Sequence, residues 1–147
     1  MINIMKMRLL FLPMLLLVAL VANGCDNPVG SGGGHPEGFV ITNAQGAEVA
    51  TYQNGTSTGQ IIANASGVST FRIFLLARDG TRIELDGLEY RIRSVTVTIG
   101  VFASATIVGA DQLRVSGKNV VDSTTLILDV EHGDHPEFRG SVTLLMQ

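Results

Sequence analysis

The chain has 147 residues, of which only 5% are aromatic and 16% charged, with 17 Gly, no Trp and a single Cys. One cysteine excludes an intrachain disulfide and any multi-thiolate zinc or iron–sulfur centre. Setting aside Lys6 and Arg8 of the N-terminal segment leaves eight basic against 13 acidic residues, a net charge of −5 that argues against nucleic-acid binding, which needs a basic footprint.

Met1 to Arg8 carries two cations and no acid, and Leu9 to Ala22 then runs for 14 residues without a polar side chain. A helix that spans a bilayer needs about 20 apolar residues. A charged start, a short apolar stretch and small residues after it form the layout of an export signal, and Pro13 within the run weakens a permanent membrane helix. The run closes on Val21-Ala22-Asn23-Gly24-Cys25, which resembles the lipobox of bacterial lipoproteins. That resemblance covers the first 25 residues. It implies that residues 1–24 are a cleaved signal peptide and that Cys25 becomes the first residue of the mature chain, acylated with fatty chains such as palmitate. The partner so implied is the lipid bilayer, since two or three acyl chains anchor stably where one is marginal.

Asp26 to Gly34 (DNPVGSGGG) has no periodicity and reads as a flexible tether. Nine such residues reach roughly 15–18 Å. Residues 25–37 are thus the expected acylated Cys and linker, and residues 38–147 the expected folded domain.

The domain reads as strands. Phe39–Thr42 is a short strand before the turn Asn43-Ala44-Gln45-Gly46, and Ala47–Gln53 is extended up to Asn54-Gly55. Ile61–Ala63 follows. Thr70–Arg78 has one apolar face, Phe71, Ile73, Leu75 and Ala77, and leads through Asp79-Gly80, a strong hairpin signal, to a return strand Thr81–Leu85. Leu88–Arg93 is another strand, and Val95, Val97 and Ile99 alternate with Thr96 and Thr98. Ala105–Val108, Leu113–Val115, Thr124–Val130 and Ser141–Met146 complete the series, with a turn at Ser116-Gly117-Lys118-Asn119. Val97, Ile99, Leu126, Leu128, Val142 and Leu144 are the expected core positions.

No window outside the signal keeps a helical apolar period. About seven to nine short strands separated by turns predict an all-β fold, an antiparallel β-sandwich, with a small β-barrel as the alternative. The stretch Leu113–Glu131 (LRVSGKNVVDSTTLILDVE) and the closing Ser141–Leu145 resemble bacterial Ig-like domains of envelope proteins, with strand spacing over residues 38–147. The Cys pair and Trp of antibody domains are absent. The resemblance implies a spacer, adhesin module or ligand binder, bound to an envelope protein or ligand that the sequence does not name.

The chain contains no G-x-S-x-G elbow, phosphate loop, G-x-G-x-x-G or H-E-x-x-H, so no enzymatic activity is expected. One feature stands apart: His35-Pro36-Glu37 recurs as His135-Pro136-Glu137, within Glu131-His-Gly-Asp-His-Pro-Glu137. All three histidines fall in these two segments. If Phe39–Thr42 lies parallel to Phe138–Leu144, as first and last strands of Ig-like sandwiches commonly do, the two segments share one end. His35, His132 and His135 would then converge, with Asp134, Glu131 and Glu137 nearby. Imidazole and carboxylate are ligands for Zn²⁺, Ni²⁺ and Cu²⁺, so His35, His132, His135, Asp134 and Glu137 are candidate ligands for Zn or Cu. The plainer alternative is that Pro blocks extra pairing at a strand start and that polar loop residues close a sandwich end. The expected function is therefore a lipid-anchored protein of the cell envelope, on its periplasmic or surface side, carrying a non-catalytic module. The alternative is a small lipoprotein that binds a divalent metal.

Overall fold

Ten strands follow one another in the computed structural model, which describes residues 34–147; the expected signal peptide, Cys25 and the tether up to Gly33 lie outside the described residues. The strands are β1 (Pro36–Thr42), β2 (Glu48–Gln53), β3 (Thr56–Ala63), β4 (Val68–Ala77), β5 (Arg82–Ile83), β6 (Tyr90–Val97), β7 (Ala103–Val108), β8 (Gln112–Gly117), β9 (Ser123–His132) and β10 (His135–Met146). No helix occurs among the described residues. The fold is all-β.

The strands form one hydrogen-bonded path, β6-β9-β10-β3-β2-β1-β4-β8-β7, with β5 pairing β4. The path doubles over at β3. Its first half, Thr56–Gly59, pairs antiparallel with β2; its second half, Gln60–Ala63, pairs parallel with β10. Gly59 sits at the change of partner with φ of +69°, a left-handed conformation that side chains resist. Ser57 Oγ also donates to the Ser141 carbonyl, a further stitch between β3 and β10. The result is two layers joined along β3, with the two ends of the path, β6 and β7, beside each other without a ladder between them. The domain is thus a sandwich closed along one edge, close to a flattened barrel.

Period-2 alternation explains which side chains fill the interior. Phe71, Ile73, Leu75 and Ala77 of β4 are buried, as are Leu126, Leu128 and Val130 of β9 and Val142, Leu144 and Met146 of β10. Two expected core positions differ. Val97 is only half-buried, and Ile99 is 41% exposed. β6 ends at Val97, and Ile99 falls in the turn closed by Phe102 N donating to the Ile99 carbonyl. The two strands expected at Leu88–Arg93 and Val95–Ile99 are one strand interrupted by a bulge. Ile92 faces Val130 and Ser94 faces Asp129, which leaves Arg93 as the extra residue.

Near one end of the domain, three rings stack. Phe39, Tyr52 and Phe138 lie with centroids 5.5 to 6.4 Å apart and planes within 23° of one another. Gly140 makes room for them: a Cβ there would lie 2.5 Å from Tyr52 Cδ1 and 2.6 Å from Phe39 Cε1. The stack ties β1 and β2 to β10 across the core. No buried side-chain polar atom among the described residues lacks a hydrogen-bond partner.

Candidate functional site

The repeated His-Pro-Glu segments have the same backbone feature. In β1, Pro36 faces Ala77 and Gly38 faces Leu76, so Glu37 is an extra residue; in β10, Pro136 faces Glu131 and Phe138 faces Val130, so Glu137 is extra. Proline brings no N–H to the ladder, and the pairing recovers only after the following residue has been passed over. A bulge re-aims the side chain it carries. Glu137 is turned so that its side chain is only 18% exposed and its Oε1 lies 3.0 Å from Nδ1 of His35.

The two segments do share an end, but not through the pairing expected. β1 lies between β2 and β4 and never meets β10 edge to edge; the parallel partner of β10 is the second half of β3. Strand direction is transmitted through the ladder instead. β1 runs antiparallel to β2, β2 antiparallel to β3, and β3 parallel to β10. β1 and β10 therefore start at the same end of the molecule, one in each layer.

His132 is the last residue of β9, on the inward parity of Leu126, Leu128 and Val130. Its ring stacks on Tyr90 at 4.7 Å and meets the His35 ring edge-on at 6.0 Å. One donor atom each from His35, His132 and Glu137 lie within 4.8 Å of one another. His135, opposite His132 in the β9–β10 hairpin, is exposed and lies outside this group. Asp134 is 97% exposed in the hairpin turn, where its Oδ1 lies 3.5 Å from Arg91. Glu131 is buried and turned away to Arg91 and Arg93.

Glu89 is the residue that sequence reasoning missed. Its Oε1 lies 3.7 Å from His132 Nε2, which adds a second carboxylate to the cluster. The turn before β6 holds it there: Asp86 Oδ1 accepts the amides of Leu88 at 2.8 Å and Glu89 at 3.3 Å. Asp-Gly at 86–87 marks a turn in sequence, but nothing local tells that its far side meets a histidine 43 residues on.

Glu89, Glu131, Asp134 and Glu137 gather at this end with Arg91 and Arg93. Burial raises the Tyr90 phenol above its ordinary value, and the charges of Glu89 and Glu137 raise it further. The hydrogen bond to Glu131 pushes the Arg91 guanidinium up, aided by the charges of Glu131 and Asp134. The amides of Leu88 and Glu89 hold the Asp86 carboxyl below the usual carboxylate range. A carboxyl depressed on folding stabilises the native state above its unfolded pKa and loses that contribution as pH falls through the folded value, here below about pH 4. Asp86→Asn is expected to flatten the acid limb of an unfolding profile followed by circular dichroism. An identical acid limb would contradict this.

Comparison with protein-family models, with curated proteins and with solved structures finds no match for this chain.

Proposed function

We propose that the protein is a membrane-anchored lipoprotein of the cell envelope whose Ig-like β domain is a non-catalytic binding or spacer module. The observation that carries this reading is the position of the only cysteine. Cys25 stands where the apolar run of residues 9–22 has given way to small residues, directly before a Gly-rich segment and an all-β domain. Acylation there attaches the chain to the bilayer, and the tether holds the domain clear of the headgroups. The two-layer all-β fold is of the kind such a module needs. A groove between the two bulges of β6 and β10, lined by Arg93, Ser94, Asp129, Glu137 and Arg139, offers mixed charge to a protein partner. No catalytic constellation is invoked, because the sequence carries no motif for one.

Cys25→Ser tests the anchor. In a bacterial host, the parent chain is expected in the membrane pellet, extracted by detergent but not by salt. The variant is expected as a soluble species or as a longer, unprocessed precursor. Unchanged membrane fractionation with normal processing would overturn the proposal.

A further inference from the structure

We infer that His35, His132 and Glu137 form a binding site for one divalent cation of the zinc and copper class, bridging the two layers of the domain. The donors come from three places: the residue before β1, the end of β9 and the bulge in β10. The first belongs to one layer and the other two to the opposite layer, so the framework, and not one loop, brings them together. Their donor atoms already lie within 4.8 Å of one another. Ligands about 2.1 Å from a tetrahedral ion stand about 3.4 Å apart. The side chain of His35 is 72% exposed and that of His132 is 40% exposed, so rotation can close the remaining gap without disturbing the core.

The hydrogen bond between His35 and Glu137 has a direct bearing on this. At 3.0 Å, its nitrogen and oxygen are near the spacing of two ligands on one ion. A cation can take the place of the proton they share, with that proton moving to Nε2 of the neutral ring. Glu89 Oε1, 3.7 Å from His132 Nε2, is near enough to close on it as the outer carboxylate that commonly orients a metal-bound imidazole, with Nδ1 of His132 left to the ion. Tyr90 forms a fixed floor beneath the His132 ring.

The donor set decides the class of ion. Two imidazoles and a carboxylate suit Zn²⁺, Cu²⁺ and Ni²⁺, whereas Mg²⁺ and Ca²⁺ take oxygen ligands. Cu²⁺ is expected to bind more tightly than Zn²⁺. Three protein ligands leave a coordination position to water, or to a carboxylate or imidazole of a partner.

Titration calorimetry of ZnCl₂, CuCl₂ and MgCl₂ into the chelator-treated full chain tests this. The chain is used as Cys25→Ser in detergent, so that no thiol competes and the result does not depend on acylation. One Zn²⁺ or Cu²⁺ per chain is expected, with no saturable heat from Mg²⁺. His35→Ala, His132→Ala and the isosteric Glu137→Gln are each expected to weaken binding about tenfold or more. Because the ion ties two layers together, the thermal midpoint should rise with Zn²⁺ in the parent and stay put in His35→Ala. Circular dichroism of each metal-free variant establishes that it is folded. Absence of saturable Zn²⁺ and Cu²⁺ binding would overturn the inference. So would Mg²⁺ binding equal to Zn²⁺, or binding that survives His35→Ala and disappears in His132→Ala/His135→Ala, which would assign it to the hairpin alone.

Discussion

Phe39→Ala is expected to lower the stability of the domain by about 3–5 kcal/mol, the usual cost of emptying a buried aromatic site. Phe39 is fully buried, its ring stacks on Tyr52 and Phe138, and it lies against the bare backbone of Gly140. Removing it takes one of the three mutually packed rings that hold β1 and β2 in one layer against β10 in the other. Little can collapse into the gap, because Gly140 has no side chain to offer and the flanking rings are attached to paired strands. A domain of this size has roughly 5–15 kcal/mol in total, so the variant should be marginal at ordinary temperature. Urea unfolding followed by circular dichroism measures the loss. Ile62→Ala is the control: Ile62 is 51% exposed on the outer face of β3, and its truncation should stay within about 0.5 kcal/mol. Equal losses for the two variants would contradict the assignment of faces.

Gly59→Ala should cost on the order of 3 kcal/mol from two separate sources. The left-handed backbone at φ of +69° costs a side chain roughly 1–2 kcal/mol. The added Cβ would also lie 2.3 Å from the Val49 carbonyl oxygen, a backbone atom of β2 and not the end of a flexible side chain, and such overpacking costs about 1–3 kcal/mol. The position matters beyond its own strain, since Gly59 is where β3 leaves β2 for β10. If the backbone relieved the clash by straightening, the parallel pairing of Leu144 with Ile61 would be strained in turn. Loss of amide protection at Ile61–Ala63 ahead of global unfolding is the expected signature in hydrogen exchange. A variant as stable as the parent would contradict the sheet change at this residue.

Much of this architecture was legible wherever alternation ran unbroken. β4 showed its core face in Phe71, Ile73, Leu75 and Ala77, and the Asp79-Gly80 turn follows the signal for a hairpin, with Gly80 at φ of +84° and Asp79 Oδ1 accepting the Thr81 amide. Legibility failed at the bulges. An extra residue at Arg93 slips the period, so β6 read as two strands. Ile99 keeps the parity of Val95 and Val97 but lies past the strand's end, in the turn closed by Phe102. β10 read as starting only at Ser141, because Pro136 and Gly140 are poor strand residues by themselves. Each has a reason visible only in three dimensions: Pro136 precedes a bulge, and Gly140 lies under two aromatic rings.

The candidate site was legible to a similar extent. The duplicated His-Pro-Glu and the residues just before its second copy pointed to His35, His132, His135, Asp134 and Glu137, because two segments that both enter strands share an end when those strands run the same way; the structure brings together His35, His132 and Glu137. The pairing that brings them there was not legible, since β3 serves as parallel partner to β10 only by changing layers. His135 and Asp134 share the motif but stay on the exposed hairpin. Glu89 had no motif at all; the turn at Asp86 delivers it.

The proposed anchoring of the chain through Cys25 is tested most directly by mass spectrometry of the N-terminal peptide of protein extracted from membranes. A peptide that begins at Cys25 and carries fatty acyl mass is the expected result. A membrane-extracted protein that begins elsewhere, or whose Cys25 is unmodified, would contradict it.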